Sequence, residues 1–322
     1  MGFDLNVLKI NPKEEIEKVS DFVANQVSKT FRRSGVLIGL SGGVDSAVMA
    51  SIAVHAMGKD RVAALILPER ESNPISRDYA LKQAKELGIA FREIDITSTV
   101  DSVGGYKERD EFIKGLIPEY TAECKYNLTL PVDLLERDSF NFYILRVRLP
   151  DCSITTKRLD VKSFRTLTAF ASIKIRARMI HLYWEAERHG FIVAGTTNKT
   201  EHILGDFCKY GDGGTDIEAL AHLYKNQIYQ IADYINIIPE IKNRTPSPDT
   251  FSLLVSDQEF YFRIPFEKLD FLLYAWENKI SKKETAEALE ISVDAVSRAF
   301  RDFKAKNNAT AHLRHLPYEI GL

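Results

Sequence analysis

The stretch Val36-Leu37-Ile38-Gly39-Leu40-Ser41-Gly42-Gly43-Val44-Asp45-Ser46 decides the fold. Residues 36–40 are a short apolar run with the character of a buried strand, and a serine-glycine turn follows at once. From 44 to 57 the apolar positions resume at helical spacing, so the chain reads strand, glycine-rich turn, helix. Glycines let a backbone close on an anion, successive N–H groups form a concave nest, and a helix N-terminus adds partial positive charge. Such a cradle suits a phosphate. The plain alternative is a capped turn, since serine and glycine are favoured at any such junction. Asp45 argues against it: an acid beside a phosphate nest needs a bridging cation, for which magnesium is the natural choice. The loop has neither the Lys-Ser/Thr ending of a Walker sequence nor the Gly-x-Gly-x-x-Gly spacing of dinucleotide binders.

Strand and helix continue to alternate on either side of this unit. Ile16, Val19, Phe22, Val23, Val27 and Phe31 recur at three and four, one face of an amphipathic helix over 12–31 that Gly35 breaks. Residues 62–67 read as a strand, 76–87 as a helix stopped by Gly88, and 90–96 as a strand; 173–189 reads as a helix capped by Gly190, and 191–194 as a buried strand. Repeated strand-helix units predict an α/β fold, a doubly wound Rossmann-like parallel sheet with helices on both faces. Residues 106–164 differ in texture. There, 140–149 and 153–161 flank Pro150-Asp151 as a β-hairpin would. The chain is irregular through Thr245-Pro246-Ser247-Pro248-Asp249 and closes with helices over 265–277, 282–289 and 293–304. The expected organisation is a core from 1–105 and 165–250, an insertion over 106–164, and a helical C-terminal region over 251–322.

Composition narrows the function classes. A hydrophobic content of 45% in 322 residues is ample for a packed core. Forty-three basic and 45 acidic residues leave a formal charge of −2, so no global field draws the chain to nucleic acid or an anionic membrane. Three dispersed cysteines, Cys124, Cys152 and Cys208, form no disulfide framework or zinc knuckle. With no signal pattern and no apolar run near the ~20 residues that span a bilayer, the expected location is cytoplasmic.

Ser41-Gly42-Gly43-Val44-Asp45-Ser46 resembles the pyrophosphate loop of the ATP pyrophosphatases, which cleave ATP between the α and β phosphates. Three further segments narrow the resemblance: Gly195-Thr196-Thr197-Asn198-Lys199-Thr200-Glu201, Lys209-Tyr210-Gly211-Asp212-Gly213-Gly214-Thr215-Asp216, and Leu223-Tyr224-Lys225. In order and spacing they are similar to the signatures of ammonia-dependent NAD synthetases. The resemblance covers roughly the first hundred residues and 165–322.

It implies an ATP-dependent amide synthetase: a carboxylate attacks the α-phosphorus of ATP, pyrophosphate leaves, and ammonia displaces AMP from the acyl-adenylate, converting deamido-NAD to NAD. Gly39, Ser41, Gly42, Gly43, Val44, Asp45, Ser46, Thr196, Lys225 and Ser247 would bind ATP. Asp45 and Glu201 would hold magnesium, and Lys225 would contact phosphate. Asp45, Asp212 and Lys225 would serve catalysis, with Asp212 orienting the amine. Arg176, Lys209, Asp212, Asp216 and His312 would bind the second substrate, with Arg176 favoured over Arg178 on the segment Ile173-Lys174-Ile175-Arg176-Ala177-Arg178-Met179. Ser172 stands where the family carries asparagine, Pro248 replaces a small residue, and Thr310-Ala311-His312-Leu313-Arg314 keeps part of a lid sequence. The resemblance also implies a homodimer. With about thirty residues before the first core strand, ammonia is expected free or from a separate glutaminase.

Two rival readings stand beside this one. The insertion and Ser172 leave room for a different carboxylate with the same chemistry. Residues 281–296 also have helix-turn-helix texture, the basis of a nucleotide-sensing or DNA-binding alternative. Against DNA, only Arg298, Arg301, Lys304 and Lys306 follow, while Glu287, Glu290 and Asp294 repel phosphate.

Overall fold

The structure is a computed structural model and describes residues 3–138, 142–317 and 319–320. The helix α1 (Pro12–Asn25) begins where Asn11 accepts a hydrogen bond from the Lys13 N–H, with Pro12 supplying the fixed first turn. After it come β1 (Gly35–Gly39), α2 (Val44–Met57), β2 (Val62–Ile66), α3 (Pro74–Leu87) and β3 (Ala90–Glu93). The short α4 (Thr97–Ser102) and α5 (Gly105–Leu116) lead into β4 (Lys125–Thr129), β5 (Ile144–Arg148) and β6 (Ile154–Arg158). The long α6 (Val161–His189) then returns the chain to β7 (Phe191–Ala194), followed by α7 (Lys199–Leu204), α8 (Lys225–Tyr234) and α9 (Pro239–Lys242). The closing helices are α10 (Phe266–Glu277), α11 (Lys282–Leu289) and α12 (Val293–Ala309).

Four parallel strands form the main sheet in the order β3-β2-β1-β7. Alternation along each strand divides the core. Val36, Ile38, Ala64, Ile66, Ile192 and Ala194 bury one face among residues of α1, α2, α3 and α8, whereas Leu37, Leu65 and Val193 meet Ala177 and Ala186 of α6 on the other. Each valine, leucine or isoleucine among them contributes about 1.5–3 kcal/mol by leaving water. The chain winds outward from β1 through β2 to β3 and then places β7 on the opposite side of β1, so strand order reverses between β1 and β7. Helices on both faces of a parallel sheet are thus present as the sequence predicts.

The insertion is richer than a hairpin. β5 and β6 do pair antiparallel across the 149–153 turn, and β4 adds a third strand in the order β4-β5-β6. Phe140, the expected start of the first hairpin strand, lies outside the described residues. The second strand ends at Arg158, not at 161, because Asp160 accepts the Ser163 N–H and caps a helix there. The helix expected from 173 therefore begins twelve residues earlier. α6 runs for 29 residues, carrying Leu167 and Ala171 against Tyr126, Leu128, Leu145 and Val147 of the small sheet and Ala177 and Ala186 against the large one.

The helix-turn-helix texture is real in backbone but spent inside the molecule. α10, α11 and α12 share a core of Leu269, Leu272, Leu273, Ala286, Leu289, Val296, Ala299 and Phe303. Arg298 donates to the carbonyls of Leu134 and Leu135, Arg301 pairs with Asp138, and Lys306 donates to Asp302 and the Tyr261 carbonyl. Three of the four bases that would face DNA are therefore engaged by the chain itself.

Candidate active site

Open α/β sheets collect ligands beyond the carboxyl ends of the strands where strand order reverses. Here that point lies between β1 and β7, and a cleft of about 470 Å³ opens there. The loop after β1 is set by its own hydroxyls: Ser46 Oγ donates to the Gly43 carbonyl at 3.0 Å and accepts from the Ser41 N–H at 3.3 Å, and Ser41 Oγ accepts from the Gly43 N–H at 3.2 Å. Gly42 has φ +75°, and a Cβ there would lie 2.2 Å from the Ser76 carbonyl oxygen. The loop presses on the start of α3 with no room for a side chain. Its open side faces the cleft beside the N-terminus of α2.

Asp45, in the first turn of α2, is held by two partners from across the sheet. Asn198 Nδ2 donates to Asp45 Oδ1 at 3.0 Å, and Lys225 Nζ lies 2.5 Å from Asp45 Oδ2 and 3.7 Å from Glu201 Oε1. Asn198 has a second task. Its side chain accepts from the Glu201 N–H at 3.1 Å while Glu201 Oε2 accepts from the Asn198 N–H at 3.2 Å, a capping box that starts α7 and aims Glu201 back at the sheet. Thus the first turns of α2, α7 and α8 each deliver one charged group to the same place.

The charge balance there is uneven. Burial alone would lower the Lys225 pKa, but Asp45 and Glu201 outweigh it and hold it above the usual lysine range. Burial, then the charge of Asp45, pushes the Glu201 carboxyl well up. Burial and neighbouring acids raise Asp206 to about 8 and Asp257 to about 6. Lys225 therefore faces four crowded carboxyls, with Lys306 also acting on Asp206 and Arg244 on Asp257. Asp206 and Asp257 had no sequence signal, since neither belongs to a motif and only folding brings them beside Lys225; Asn198 was legible as a helix cap three residues before a glutamate.

Of the residues singled out from sequence, Gly39, Ser41, Gly43, Val44, Asp45, Ser46, Thr196, Glu201, Asp212, Lys225 and Ser247 line the cleft. Asp212 Oδ1 accepts from the Cys208 and Gly213 N–H groups at 2.6 and 3.1 Å, so it also shapes its own loop, while burial raises its pKa. Five others do not line it, the first being Gly42, which backs onto the Ser76 carbonyl instead. Asp216 accepts from the Val193 N–H at 2.8 Å and the Tyr183 hydroxyl at 3.2 Å, splicing the 216–217 segment onto β7. Arg176 is exposed and donates to the Lys209 carbonyl, and Lys209 Nζ donates to the carbonyls of His312 and His315 at 3.0 and 2.7 Å. Arg176, Lys209 and His312 thus meet one another around the C-terminal segment rather than inside the cleft. Of the two arginines, Arg178 and not Arg176 lines the cleft. Two positions on, the helical turn aims Arg178 into the cleft, where it donates to the Leu67 carbonyl at 3.1 Å.

Beneath Gly195-Thr196-Thr197 lies Glu218, which sequence reasoning passed over. It accepts from Thr197 N–H, Thr197 Oγ1 and Thr215 Oγ1, and burial lifts its pKa to about 7. Tyr143, stacked on Phe164 with ring centroids 4.0 Å apart, brings the insertion to the cleft wall.

Known proteins give the same reading of this geometry. The NAD synthase family model matches residues 15–135 and 118–317. An NH3-dependent NAD+ synthetase of Mesorhizobium japonicum is 36% identical over 318 residues, covering 98% of this chain and 99% of its own. The corresponding enzyme of Thermotoga maritima is 34% identical over 83% of this chain and 87% of its own. In fold, the chain is similar to an NMN synthetase from Francisella tularensis (TM-score 0.68, 22% identity, 98% of this chain and 100% of that one). It is also similar to an NH3-dependent NAD synthetase from Campylobacter jejuni (TM-score 0.62, 23% identity, 97% and 100%). A glycine-rich loop at the β1/β7 switch point, an acid-lysine centre beside it, and sequence relatives matching nearly end to end have one common account: the chain belongs to the NAD synthase family.

Proposed function

We infer that the chain is an ATP-dependent, C–N bond-forming ligase that converts deamido-NAD to NAD with ammonia. The observation that carries this is the meeting of Asp45, Lys225 and Glu201 at the open side of the Ser41–Ser46 loop, in a chain whose relatives are NH3-dependent NAD synthetases. A carboxylate oxygen of deamido-NAD attacks the α-phosphorus of ATP, the bond to the β-phosphate oxygen breaks, and pyrophosphate leaves. Ammonia then adds to the acyl carbon and AMP departs. The backbone donors of the loop and the α2 N-terminus receive the leaving pyrophosphate, and Lys225 adds a cation that the transition state needs more than the ground state does. Thr196, Ser247 and Arg178 are the further polar contacts for the nucleotide. Asp212, kept basic by its raised pKa, orients the incoming amine. Arg176, Lys209, Asp216 and His312 act from outside the cleft lining by fixing the C-terminal segment and the 209–216 loop.

Magnesium fits the donor set. Lys225 stands where a cation between Asp45 and Glu201 would stand, yet Glu201 is still pushed up, so the pair has capacity for more positive charge than one ammonium supplies. Among the described residues no three-ligand cluster is preformed, in keeping with an ion that takes one or two carboxylates and completes its shell with phosphate oxygens and water. Held there, it would neutralise charge on the phosphates.

A homodimer belongs to the same reading, supported by Ile180 and Trp184, exposed one turn apart on α6. So does a cytoplasmic location; among the described residues no helix is long and apolar enough to cross a membrane. The test is pyrophosphate release with ATP and magnesium, comparing deamido-NAD with other carboxylates and ammonium with glutamine, using Asp45→Ala as control. The expected result is NAD formation with deamido-NAD and ammonium, lost on chelation and in the variant. Release only with another acid would overturn the substrate.

A further inference from the structure

Two loops that line the cleft are built on one buried lysine. The loop after β2 contributes Leu67 and Ser72, and the loop at 245–250 contributes Ser247 and Asp249. They touch directly, the Asn73 N–H donating to Asp249 Oδ1 at 3.2 Å. Behind them lies Lys174 of α6, only 2% exposed. Its Nζ donates to Glu69 Oε1 at 2.9 Å, Glu71 Oε2 at 2.6 Å and the Thr250 carbonyl at 3.0 Å, which accounts for all three ammonium protons. The first two acceptors belong to one loop and the third to the other.

The acceptors are themselves fixed. Tyr106 donates to Glu69 Oε2 at 2.5 Å, and Arg109 grips Glu71 through two hydrogen bonds of 2.7 Å. Tyr106 and Arg109 belong to α5, so the network ties the insertion to the cleft. One turn along α6, Arg178 holds the same post-β2 loop through Leu67 and Ser72. Desolvating a lysine and two carboxylates costs more than packing apolar groups of the same size, so the fold alone gives no reason for charge here.

We propose that Lys174 is a positioning residue for adenylation: by binding Thr250 on one loop and Glu69 and Glu71 on the other, its ammonium sets the spacing at which both loops receive ATP. The proposal rests on the ligase reading above and adds to it the means by which the two loops are held.

The test uses the full-length enzyme and the charge-balanced double variant Glu69→Gln/Lys174→Met, in which Glu71 keeps Arg109. Loss of the tether to Thr250 raises KM for ATP about tenfold, the scale of one charge-assisted hydrogen bond. KM for deamido-NAD stays within about twofold. A merely structural role would lower Tm and the active fraction, which scales kcat and leaves KM alone. KM for ATP within about twofold of wild type therefore overturns the proposal. If the double variant does not fold, Lys174→Arg keeps the charge but misplaces the donors, and the same criterion applies. Equilibrium binding of a non-hydrolysable ATP analogue to wild type and variants separates the two claims. Weakened analogue binding in the variants supports Lys174 even if deamido-NAD is not the acid turned over, and unchanged binding refutes it even if it is.

Discussion

Replacing Gly42 by alanine tests the proposed phosphate cradle where its geometry is tightest. The residue sits at φ +75°, which costs an L side chain about 1–2 kcal/mol. The larger effect is steric. The new Cβ would lie 2.2 Å from the Ser76 carbonyl oxygen, a backbone atom at the start of α3 that cannot rotate away. Restoring an ordinary contact requires a shift of about 1 Å between the loop and α3, and misplacement on that scale costs on the order of 100-fold in rate when the displaced groups hold the reacting part of a substrate. Pyrophosphate release with ATP, magnesium, ammonium and deamido-NAD should fall by about that factor, while Tm drops by only a few degrees. Gly43→Ala is the stability control, because its Cβ would meet only Ser41 Oγ at 3.2 Å and its φ of −98° suits any residue. Activity of Gly42→Ala within about threefold of wild type would refute the claim that this loop's position governs the reaction.

Lys225→Met removes the ammonium shared by Asp45 and Glu201, and breaking such a buried pair costs about 3–5 kcal/mol, read by urea denaturation. The loss should be smaller at pH 6 than at pH 9, because Glu201, already pushed up by burial and by Asp45, takes a proton as pH falls; an equal loss at both would contradict the arrangement. Asp206 gives a signed pH dependence. Its folded pKa of about 8 stands above the ordinary 3.8, so the unfolded chain releases the proton first and stability falls as pH rises between those values. Asp206→Asn should match wild type near the bottom of that window and exceed it in Tm at the top; parallel pH profiles would show that the carboxyl is not held protonated. Ile180→Asp with Trp184→Asp should convert a dimer to a monomer in sedimentation without changing the helical circular dichroism, and an unchanged mass would place the interface elsewhere.

The sequence by itself determined the sheet and its glycine-rich loop, because both are local patterns. A five-residue apolar run, too short for a helix and closed at once by Ser-Gly-Gly, reads as a buried strand from its own residues, and Asn198 with Glu201 announces its own helix start. The C-terminal helices were equally plain, but the partners of their bases were not: that Arg298 donates to the Leu134 and Leu135 carbonyls and Arg301 pairs with Asp138 depends on residues 134–138, more than 160 positions away. The start of α6 was missed because residues 161–172 carry β-branched and aromatic side chains that suit a strand as well as a helix, and the Asp160 cap decided between them. Direction around a helix was also beyond reach, since two arginines two residues apart look alike in sequence; packing of α6 on the sheet sends Arg178 into the cleft and Arg176 to the Lys209 carbonyl. Tertiary structure alone decided which acids share Lys225 and which loops share Lys174. Those groups are far apart along the chain, and their energies arise from burial and from one another's charge, neither of which exists until the fold has formed.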